Sequence, residues 1–470
     1  MGRASSNLIA QSAKPTLLQS HFVLQLSFVL DGDIMIPSFD TPHLLVRRLK
    51  LFFMIIFCSV CMGIASTFFL FSLDWAANQR QEYPFIVALL PAAGFATAFF
   101  YSRFGQNCGK GNNLVIESAV GDAQVPLRMG LMSFLFTVCT HLCGGSAGRE
   151  GTAVQISGSI TNQVGRWFNL TDKDRHLLIL SGISAGFSSV FGTPLAGTFF
   201  GMEMCFVGSL SYEAFLPCVL AAFTSNQVAL FLGASHATHS ITQLPPINLG
   251  TALLLIFSAC LFGWIGRLFV WCMHQVKRCY SYLPQKLLAG AAAGFVVLIA
   301  LCIFGSEYGG LSTWMIDKSF AGKASWMDPL AKFIVTVLTL GGGFQGGEVT
   351  PLFTIGSSAG ALIGQLFNLP PSLFAALGMV CVFGCAANTP VTTFMLGIEL
   401  FGSEYAPYFL ICAVISYLMC GHCGIYPSQR IVTPKSERWH NHIGLQLGEI
   451  SSHSAVKPTD NPNDSLNLHQ

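Results

Sequence analysis

The feature that most constrains the fold of this chain is an almost unbroken series of apolar segments between residues 49 and 420. Several of these segments are shorter than the about 20 residues that a helix needs to cross a bilayer. Gly- and Pro-rich stretches separate them and carry the few charged residues of this region. Irregular backbone is tolerated at membrane depth only where it is buried or lines a polar cavity. The pattern predicts an all-α polytopic membrane protein with discontinuous helices.

The composition agrees with lipid as the solvent of this region. Charged residues make up 10% of the chain, whereas an ordinary soluble domain contains roughly 25%. The formal net charge of +2 gives no indication of a nucleic-acid partner. We expect apolar spans near residues 49–75, 84–102, 127–143, 152–168, 176–191, 194–210, 213–233, 249–275, 285–305, 330–341, 351–367, 372–386, 390–402 and 406–420.

These spans define a membrane domain at residues 46–426, with two halves at about 46–233 and 249–426. The polar tail at residues 427–470 is predicted to be disordered, and residues 1–45 are expected to form a cytoplasmic segment. The positive-inside rule supports this orientation, because basic residues lie just before and at the start of the first span, at Arg47, Arg48 and Lys50.

Part of the N-terminal segment is itself apolar. The stretch from Leu17 to Leu30 is too short and too interrupted by polar residues to span a bilayer. It also lacks the small-residue cleavage site of a signal peptide. We therefore expect the natural start of the protein at Met35.

The two halves of the membrane domain share an internal repeat. Residues 144–158 read GGSAGREGTAVQISG, and residues 341–356 read GGGFQGGEVTPLFTIG. An offset of 198 places Glu150 on Glu348 and Thr152 on Thr350. Residues 193–203 (TPLAGTFFGME) match residues 389–399 (TPVTTFMLGIE) at an offset of 196, and both segments end in glutamate. Two matches at nearly the same offset indicate a duplicated structure.

Paired Gly-rich breaks of this kind indicate the binding site of a transporter. Each break exposes backbone N–H groups at the start of a half-helix, where the helix dipole is positive. Such a site binds anions without a full positive charge. The repeat therefore favours anion transport.

Four ordered motifs resemble those of the CLC family of chloride channels and transporters. GREGT (148–152) resembles the CLC signature GREGP, and GGEVTP (346–351) resembles the GxFxP segment. GKGNN (109–113) stands where that family has GSGIP, and Tyr426 in GIYPSQR (424–430) stands where the family has an anion-coordinating tyrosine. The resemblance covers about residues 50 to 430.

The resemblance implies two inverted-topology repeats of tilted, discontinuous helices and a homodimer with one pore in each subunit. It implies that Glu150 is the gating glutamate, which occupies an anion site when ionised and swings away when protonated. In exchangers of the family this step couples anion and proton movement. The anion-binding positions implied by the motifs are Gly109, Lys110, Gly111, Asn112, Arg149, Gly151, Thr152, Gly347, Glu348, Val349 and Tyr426.

Departures from the chloride-transporting pattern make the chain more similar to the divergent bacterial branch that includes fluoride exporters. Asn112 and Asn113 replace Ile-Pro, Thr152 replaces Pro, and Val349 replaces Phe. Fluoride is more strongly hydrated than chloride, and polar donors including the Lys110 amine would replace its water shell. Lys110 could instead pair with Glu150 or extend to water.

The position of the usual inner proton-accepting glutamate falls on Met204, with Glu203 one residue earlier. Proton-coupled members of the divergent branch lack this glutamate, and so do passive channels. We predict anion/proton antiport of fluoride or chloride, with a passive chloride channel as the alternative. Glu203 and Glu399 could serve structure or proton relay.

No enzymatic activity is expected, because the sequence contains neither HExxH nor a paired-aspartate or Ser/His arrangement on neighbouring spans. No cofactor or metal is predicted. Cys420 and Cys423 flank His422 and are interpreted as packing residues near a helix end, and His141 as a hydrogen-bonded core histidine. The expected location is a bacterial inner membrane, with fluoride or chloride, protons and lipid as the partners.

Overall fold

A computed structural model describes residues 42–121, 123–246 and 248–453. The first part of the chain contains α1 (Pro42–Glu82), α2 (Leu90–Phe104), α3 (Asn112–Ala119), α4 (Leu127–Leu142), α5 (Glu150–Trp167), α6 (Asp172–Phe191), α7 (Pro194–Glu203) and α8 (Phe215–Phe231). The second part contains α9 (Leu249–Ser281), α10 (Lys286–Phe304), α11 (Trp314–Phe320), α12 (Met327–Gly341), α13 (Val349–Leu366), α14 (Pro371–Ala387), α15 (Pro390–Phe401), α16 (Ala406–Cys420) and α17 (Leu447–His453). Short 3-10 turns connect several of these helices, and β1 (Phe206–Val207) pairs in parallel with β2 (Arg430–Ile431).

Local sequence signals explain where the helices begin and end. The hydroxyl of Thr171 accepts a hydrogen bond from the Asp174 N–H and caps α6. Gly192 then ends α6 in the left-handed conformation. Pro194 and Pro390 each occupy the first position of a helix, where the missing N–H costs nothing.

Among the described residues, seven helical segments are long and apolar enough to cross a membrane. Shorter apolar helices lie at Leu127–Leu142, Pro371–Ala387 and Pro390–Phe401. The prediction of a polytopic all-α protein with discontinuous helices is confirmed. The span expected at residues 194–210 is shorter than predicted, because α7 ends at Glu203 and β1 follows.

Helices α7 and α15 show that the two halves have inverted topologies. The carboxylate of Glu203, at the end of α7, accepts hydrogen bonds from the Val391 N–H (3.1 Å) and the Thr392 N–H (2.9 Å) at the start of α15. The carboxylate of Glu399, near the end of α15, accepts from the Leu195 and Ala196 N–H groups at 2.8 and 2.7 Å. Each helix thus caps the start of the other, so these equivalent helices run antiparallel.

Small residues allow helices of the membrane domain to approach closely. A Cβ atom on Gly378 of α14 would lie 2.1 Å from the Gly356 carbonyl oxygen of α13, and the reciprocal distance is also 2.1 Å. Gly94 of α2 and Gly290 of α10 meet in the same way. Such contacts bring backbones together where lipid supplies no hydrophobic drive for association.

The prediction of a disordered tail at residues 427–470 is wrong for the described part. β2 pairs with β1, and Ile431, Leu447 and Ile450 bury their side chains with Val207. The Lys435 amine donates to the Asn388 side-chain oxygen at 2.6 Å and to the Tyr417 carbonyl at 2.9 Å. A few apolar residues and one inserted lysine therefore order a segment whose overall composition is polar.

The other terminal predictions lie largely outside the described residues. This holds for residues 454–470, for the apolar stretch Leu17–Leu30 and for the start expected at Met35. Of the N-terminal segment 1–45, only the beginning of α1 is described.

Candidate anion pathway

Glu150 lies where the two Gly-rich loops cross. It is the first residue of α5, and its side chain is only 1% exposed. The Thr350 hydroxyl lies 2.7 and 2.8 Å from its two carboxylate oxygens, and the Thr350 N–H donates to it at 3.3 Å. The Arg149 N–H donates at 3.2 Å, and the Arg149 Nε atom is 3.5 Å away. The carboxylate therefore lies at the start of α13, where a backbone N–H group and the helix dipole favour a negative charge.

The two loops are joined by their backbones. The N–H of Gly148 donates to the Gly347 carbonyl at 2.6 Å, and the N–H of Gly347 donates to the Gly148 carbonyl at 2.8 Å. A Cβ atom at Gly151 would lie 3.0 Å from the Gly347 Cα atom. Gly346 has a φ of 152°, and a Cβ there would clash with Ala147 at 2.3 Å. Glycine is required for this close crossing.

A cavity of about 290 Å³ lies on one side of the crossing. Asn112 lines it, as does Glu348, which precedes α13 at the repeat position equivalent to Glu150. The Glu348 Oε2 and Asn112 Oδ1 atoms are buried and have no hydrogen-bond partner among the described residues. We call this the inner cavity, and six of the predicted site residues line it: Gly109, Lys110, Gly111, Asn112, Glu348 and Tyr426.

A smaller cavity of about 100 Å³ lies against Arg149 and the loop that carries His236. The remaining predicted residues lie between the two cavities and line neither: Glu150, Gly151, Thr152, Gly347 and Val349. Helix α9 begins just after that loop and reaches the inner cavity at His274. His274 lies 25 residues after Leu249, the first residue of α9, which corresponds to about 38 Å of helix. This length exceeds the thickness of a bilayer core, which is about 30 Å. The two cavities therefore belong to opposite faces of the membrane domain, and we call the smaller one the outer cavity.

Lys110 does not pair with Glu150. Its amine is 2.7 Å from the Glu117 carboxylate, and its side chain is 50% exposed at the rim of the inner cavity. Glu117 also accepts a hydrogen bond from the Ser428 hydroxyl at 3.0 Å. The possible pairing of Lys110 with Glu150 is wrong in this structure, because the Lys110 amine binds the Glu117 carboxylate on α3 instead.

Two other polar residues expected to replace fluoride's water shell have protein partners. The Asn113 side-chain oxygen accepts from the Ser428 N–H at 3.0 Å, which ties the C-terminal segment to α3. The hydroxyls of Thr152 and Thr137 are hydrogen-bonded at 2.8 Å. The hydroxyl that contacts the Glu150 carboxylate belongs to Thr350, which was not among the predicted site residues although the repeat aligned it with Thr152.

The other residues considered in the sequence analysis lie outside the contacts of Glu150. Met204, the residue that the resemblance aligns with the usual inner glutamate, is fully buried. Glu203 and Glu399 cap helices, as described above. His141 is buried, but its Nε2 atom has no hydrogen-bond partner among the described residues, so the expected hydrogen bond is not made there. The sulfur atoms of Cys420 and Cys423 are 3.6 Å apart at the end of α16.

Comparisons with known proteins agree with the observed fold. The family model described as "voltage gated chloride channel" matches residues 93–421. A chloride/fluoride channel protein of Pseudomonas syringae pv. tomato is 42% identical over 388 residues, which cover 80% of this chain and 85% of that protein.

Two solved structures are similar in fold. The crystal structure of a CLC-type fluoride/proton antiporter matches with a TM-score of 0.79 and 34% identity, over 83% of this chain and 99% of that one. A slow cyanobacterial Cl⁻/H⁺ antiporter matches with a TM-score of 0.70 and 19% identity, over 88% of this chain and 99% of that one.

Proposed function

Because the chain belongs to the voltage-gated chloride channel family, we propose that it exchanges small anions for protons across a membrane, with fluoride favoured over chloride. The observation that carries this proposal is the position of the Glu150 carboxylate, which takes the place of an anion at the start of α13. Its partners there are a hydroxyl and backbone N–H groups, which are donors that would serve a halide equally well.

Proton transfer to Glu150 opens the site. The ionised carboxylate competes with anions for the Thr350 donors, and charge-assisted bonds of this kind are roughly twice as strong as neutral ones. A protonated carboxyl group has lost its charge and binds these donors less tightly. It then leaves the site with its proton, and an anion takes its place. One anion and one proton thus use the same position in turn, which couples their opposite movements.

Glu348 provides the inner end of the proton route. It lines the inner cavity, its Oε2 atom has no hydrogen-bond partner in the described part of the chain, and Lys277 lines the same cavity. A carboxylate there repels anions when ionised, so we assign it proton exchange with water of the inner cavity, beside its predicted place among the anion-site residues. Glu348 would thus replace the inner proton-accepting glutamate, whose usual position is occupied by Met204.

The donors at Glu150 favour fluoride. A small, strongly hydrated anion gives up more hydration energy than chloride on binding, so it needs short hydrogen bonds from hydroxyl and N–H groups. The Thr350 hydroxyl supplies one at the place where Glu150 now binds. The similarity to a fluoride/proton antiporter and to a chloride/fluoride channel protein supports this choice.

A passive chloride channel is the second candidate. The observation that favours it is the buried Met204, which leaves no carboxylate at the inner position used by many exchangers. We further propose a homodimer in a bacterial inner membrane, as the family resemblance implies. The basic residues Arg47, Arg48 and Lys50 near the start of α1 favour a cytoplasmic N-terminus by the positive-inside rule.

Liposomes that hold the purified protein test the proposal. Fluoride and chloride electrodes follow anion efflux, and a pH electrode follows proton uptake. The wild type is expected to take up protons as fluoride leaves, and Glu150→Gln is expected to lose that proton uptake. Glu404→Gln, which removes an exposed carboxylate after α15, is the matched control. Equal passage of chloride without proton movement in any variant would establish the channel instead.

A further inference from the structure

Arg149 and His236 line the outer cavity, and each has a buried side-chain nitrogen without a hydrogen-bond partner among the described residues. The cavity wall is otherwise largely apolar and includes Phe191 and Met379. Arg149 enters it from the start of α5, and His236 enters it from the loop between α8 and α9. This cavity adjoins the residue that precedes the gate, so whatever it binds lies next to Glu150.

Arg149 presents a partly unsatisfied guanidinium group to the cavity. Its side chain is 19% exposed, and its Nε atom is 3.5 Å from the nearest carboxylate oxygen of Glu150. The Nε atom is buried and makes no hydrogen bond to any described residue. The nearby Glu150 carboxylate offsets part of the desolvation cost of this cation, and a further anion would offset more of it.

His236 is held in place by the end of α6. Gly192 ends that helix with a φ of 80°, and a Cβ atom there would lie 2.4 Å from the imidazole ring. Glycine at this position therefore leaves room for the ring. Both ring nitrogens are buried and neither has a hydrogen-bond partner within the described parts of the chain.

The other ionisable groups that line the cavity pair with each other. The ring of His239 is 2.9 Å from the carboxylate of Asp317 on α11, and this carboxylate is 71% exposed. Asp317 therefore does little to neutralise Arg149. Burial, followed by the charge of Arg149, lowers the pKa of His236 to about 4. At neutral pH the ring is uncharged and offers one N–H donor.

We propose that Arg149 and His236 form a second binding site for a small monovalent anion, on the outer side of Glu150. This proposal rests on the proposed transport function and adds a site to the same pathway. The Arg149 Nε–H and one His236 N–H are the donors. A cavity of about 100 Å³ accommodates an anion with one or two waters, since a water molecule occupies about 30 Å³.

The site links anion binding to the charge of His236. A bound anion offsets the desolvation of the protonated ring and its repulsion by Arg149, so binding raises the pKa of His236 from its lowered value. By linkage, the protonated site binds the anion more tightly by the same factor. Anion binding at the outer cavity therefore strengthens as the pH falls from neutral toward 4.

Nuclear magnetic resonance of the full-length protein in detergent tests this directly. Histidine is labelled with ¹³C, and the His236 signal is identified by its loss in His236→Gln. Titration with sodium fluoride, and separately with sodium chloride, is repeated across the pH range. The pKa of His236 is expected to rise by about one unit in saturating anion, which corresponds to tenfold tighter binding by the protonated ring. A His236 signal that neither moves nor changes its pKa with either anion would overturn the proposal.

Flux measurements provide a second readout. His236→Gln is expected to raise the external anion concentration that gives half-maximal exchange, with the proton-to-anion ratio unchanged. His440→Gln, at an exposed position in the C-terminal segment, is the control and should change neither quantity. Loss of proton coupling in His236→Gln with an unchanged external affinity would contradict an anion-binding role. The two proposals can fail separately. Anion binding near His236 would still change its NMR signal if the protein did not couple anions to protons.

Discussion

Removal of the Thr350 hydroxyl should release the gate without altering Glu150 itself. In Thr350→Val the side chain keeps its shape but can no longer donate to the Glu150 carboxylate, which the hydroxyl now contacts at 2.7 and 2.8 Å. The hydroxyl has a single proton, so the two distances represent one shared hydrogen bond. The Thr350 N–H at 3.3 Å remains.

The expected size of the effect follows from the charge of the acceptor. A hydrogen bond to a charged group contributes about 1.5–3 kcal/mol, and about 1.4 kcal/mol changes an equilibrium constant tenfold. The bound state of the carboxylate should therefore lose on the order of tenfold to a hundredfold in population relative to the released state. An anion has the same donor removed, so its own affinity also falls. The ratio of protons to anions should then decrease, because the carboxylate returns less often to the site.

The assay is simultaneous recording of fluoride efflux and proton uptake in liposomes. Thr350→Ser keeps the hydroxyl and should retain wild-type coupling. Thr152→Val removes the equivalent hydroxyl of the other repeat, which contacts Thr137 and not Glu150, and it should leave the ratio unchanged. The reasoning is refuted if Thr350→Val couples protons to fluoride as the wild type does, or if Thr350→Ser fails as badly as Thr350→Val.

Three further predictions concern neighbouring groups. Glu203→Gln and Glu399→Gln each weaken two hydrogen bonds at a helix start, so each should destabilise the protein by about 1–3 kcal/mol. The thermal unfolding midpoint in detergent should fall in each variant, and an unchanged midpoint would contradict the capping role. Lys110→Met should change the fluoride-to-chloride selectivity of efflux little, since its amine binds Glu117; a large loss of selectivity would show a direct role. Glu348→Gln should slow proton uptake from the inner side more than anion efflux, and equal slowing of both fluxes would contradict its role in proton exchange.

The sequence predicted the architecture well because the membrane restricts the alternatives. Apolar segments of limited length and paired Gly-rich breaks allow few folds other than one with discontinuous helices. The repeat also matched Glu203 with Glu399, and in the structure each of these glutamates caps the start of the helix that carries the other. These reciprocal caps join the antiparallel helices α7 and α15. Their chemistry could not be read from the repeat alone, since a matched glutamate serves a cap and a proton relay equally well.

The partners of individual polar side chains could not be predicted. Lys110, Asn113 and Thr152 were all expected to offer donors to an anion, and the sequence did not reveal that each also contacts another residue of the protein: Glu117, Ser428 and Thr137. These contacts depend on the rotation of short helices and on the return of the C-terminal segment to α3, which no local pattern encodes. The order of that segment was missed for the same reason, because Ile431 is buried only through its contact with Val207.

The outer cavity was also beyond sequence reasoning. His236 lies in a loop between two spans, 87 residues from Arg149 along the chain, and no motif links them. The structure brings both residues to one cavity because Gly192 ends α6 at the point where the ring must fit.

The most direct test of the central claim is whether a proton gradient alone moves fluoride uphill. Liposomes with equal fluoride on both sides and an imposed pH difference would be monitored with a fluoride electrode, with the membrane potential clamped at zero by potassium and valinomycin. The wild type should accumulate fluoride on the side from which protons flow, and Glu150→Gln should not. If fluoride stays at equilibrium in the wild type while it still passes down its own gradient, the protein conducts anions passively and the coupling assigned to Glu150 is wrong.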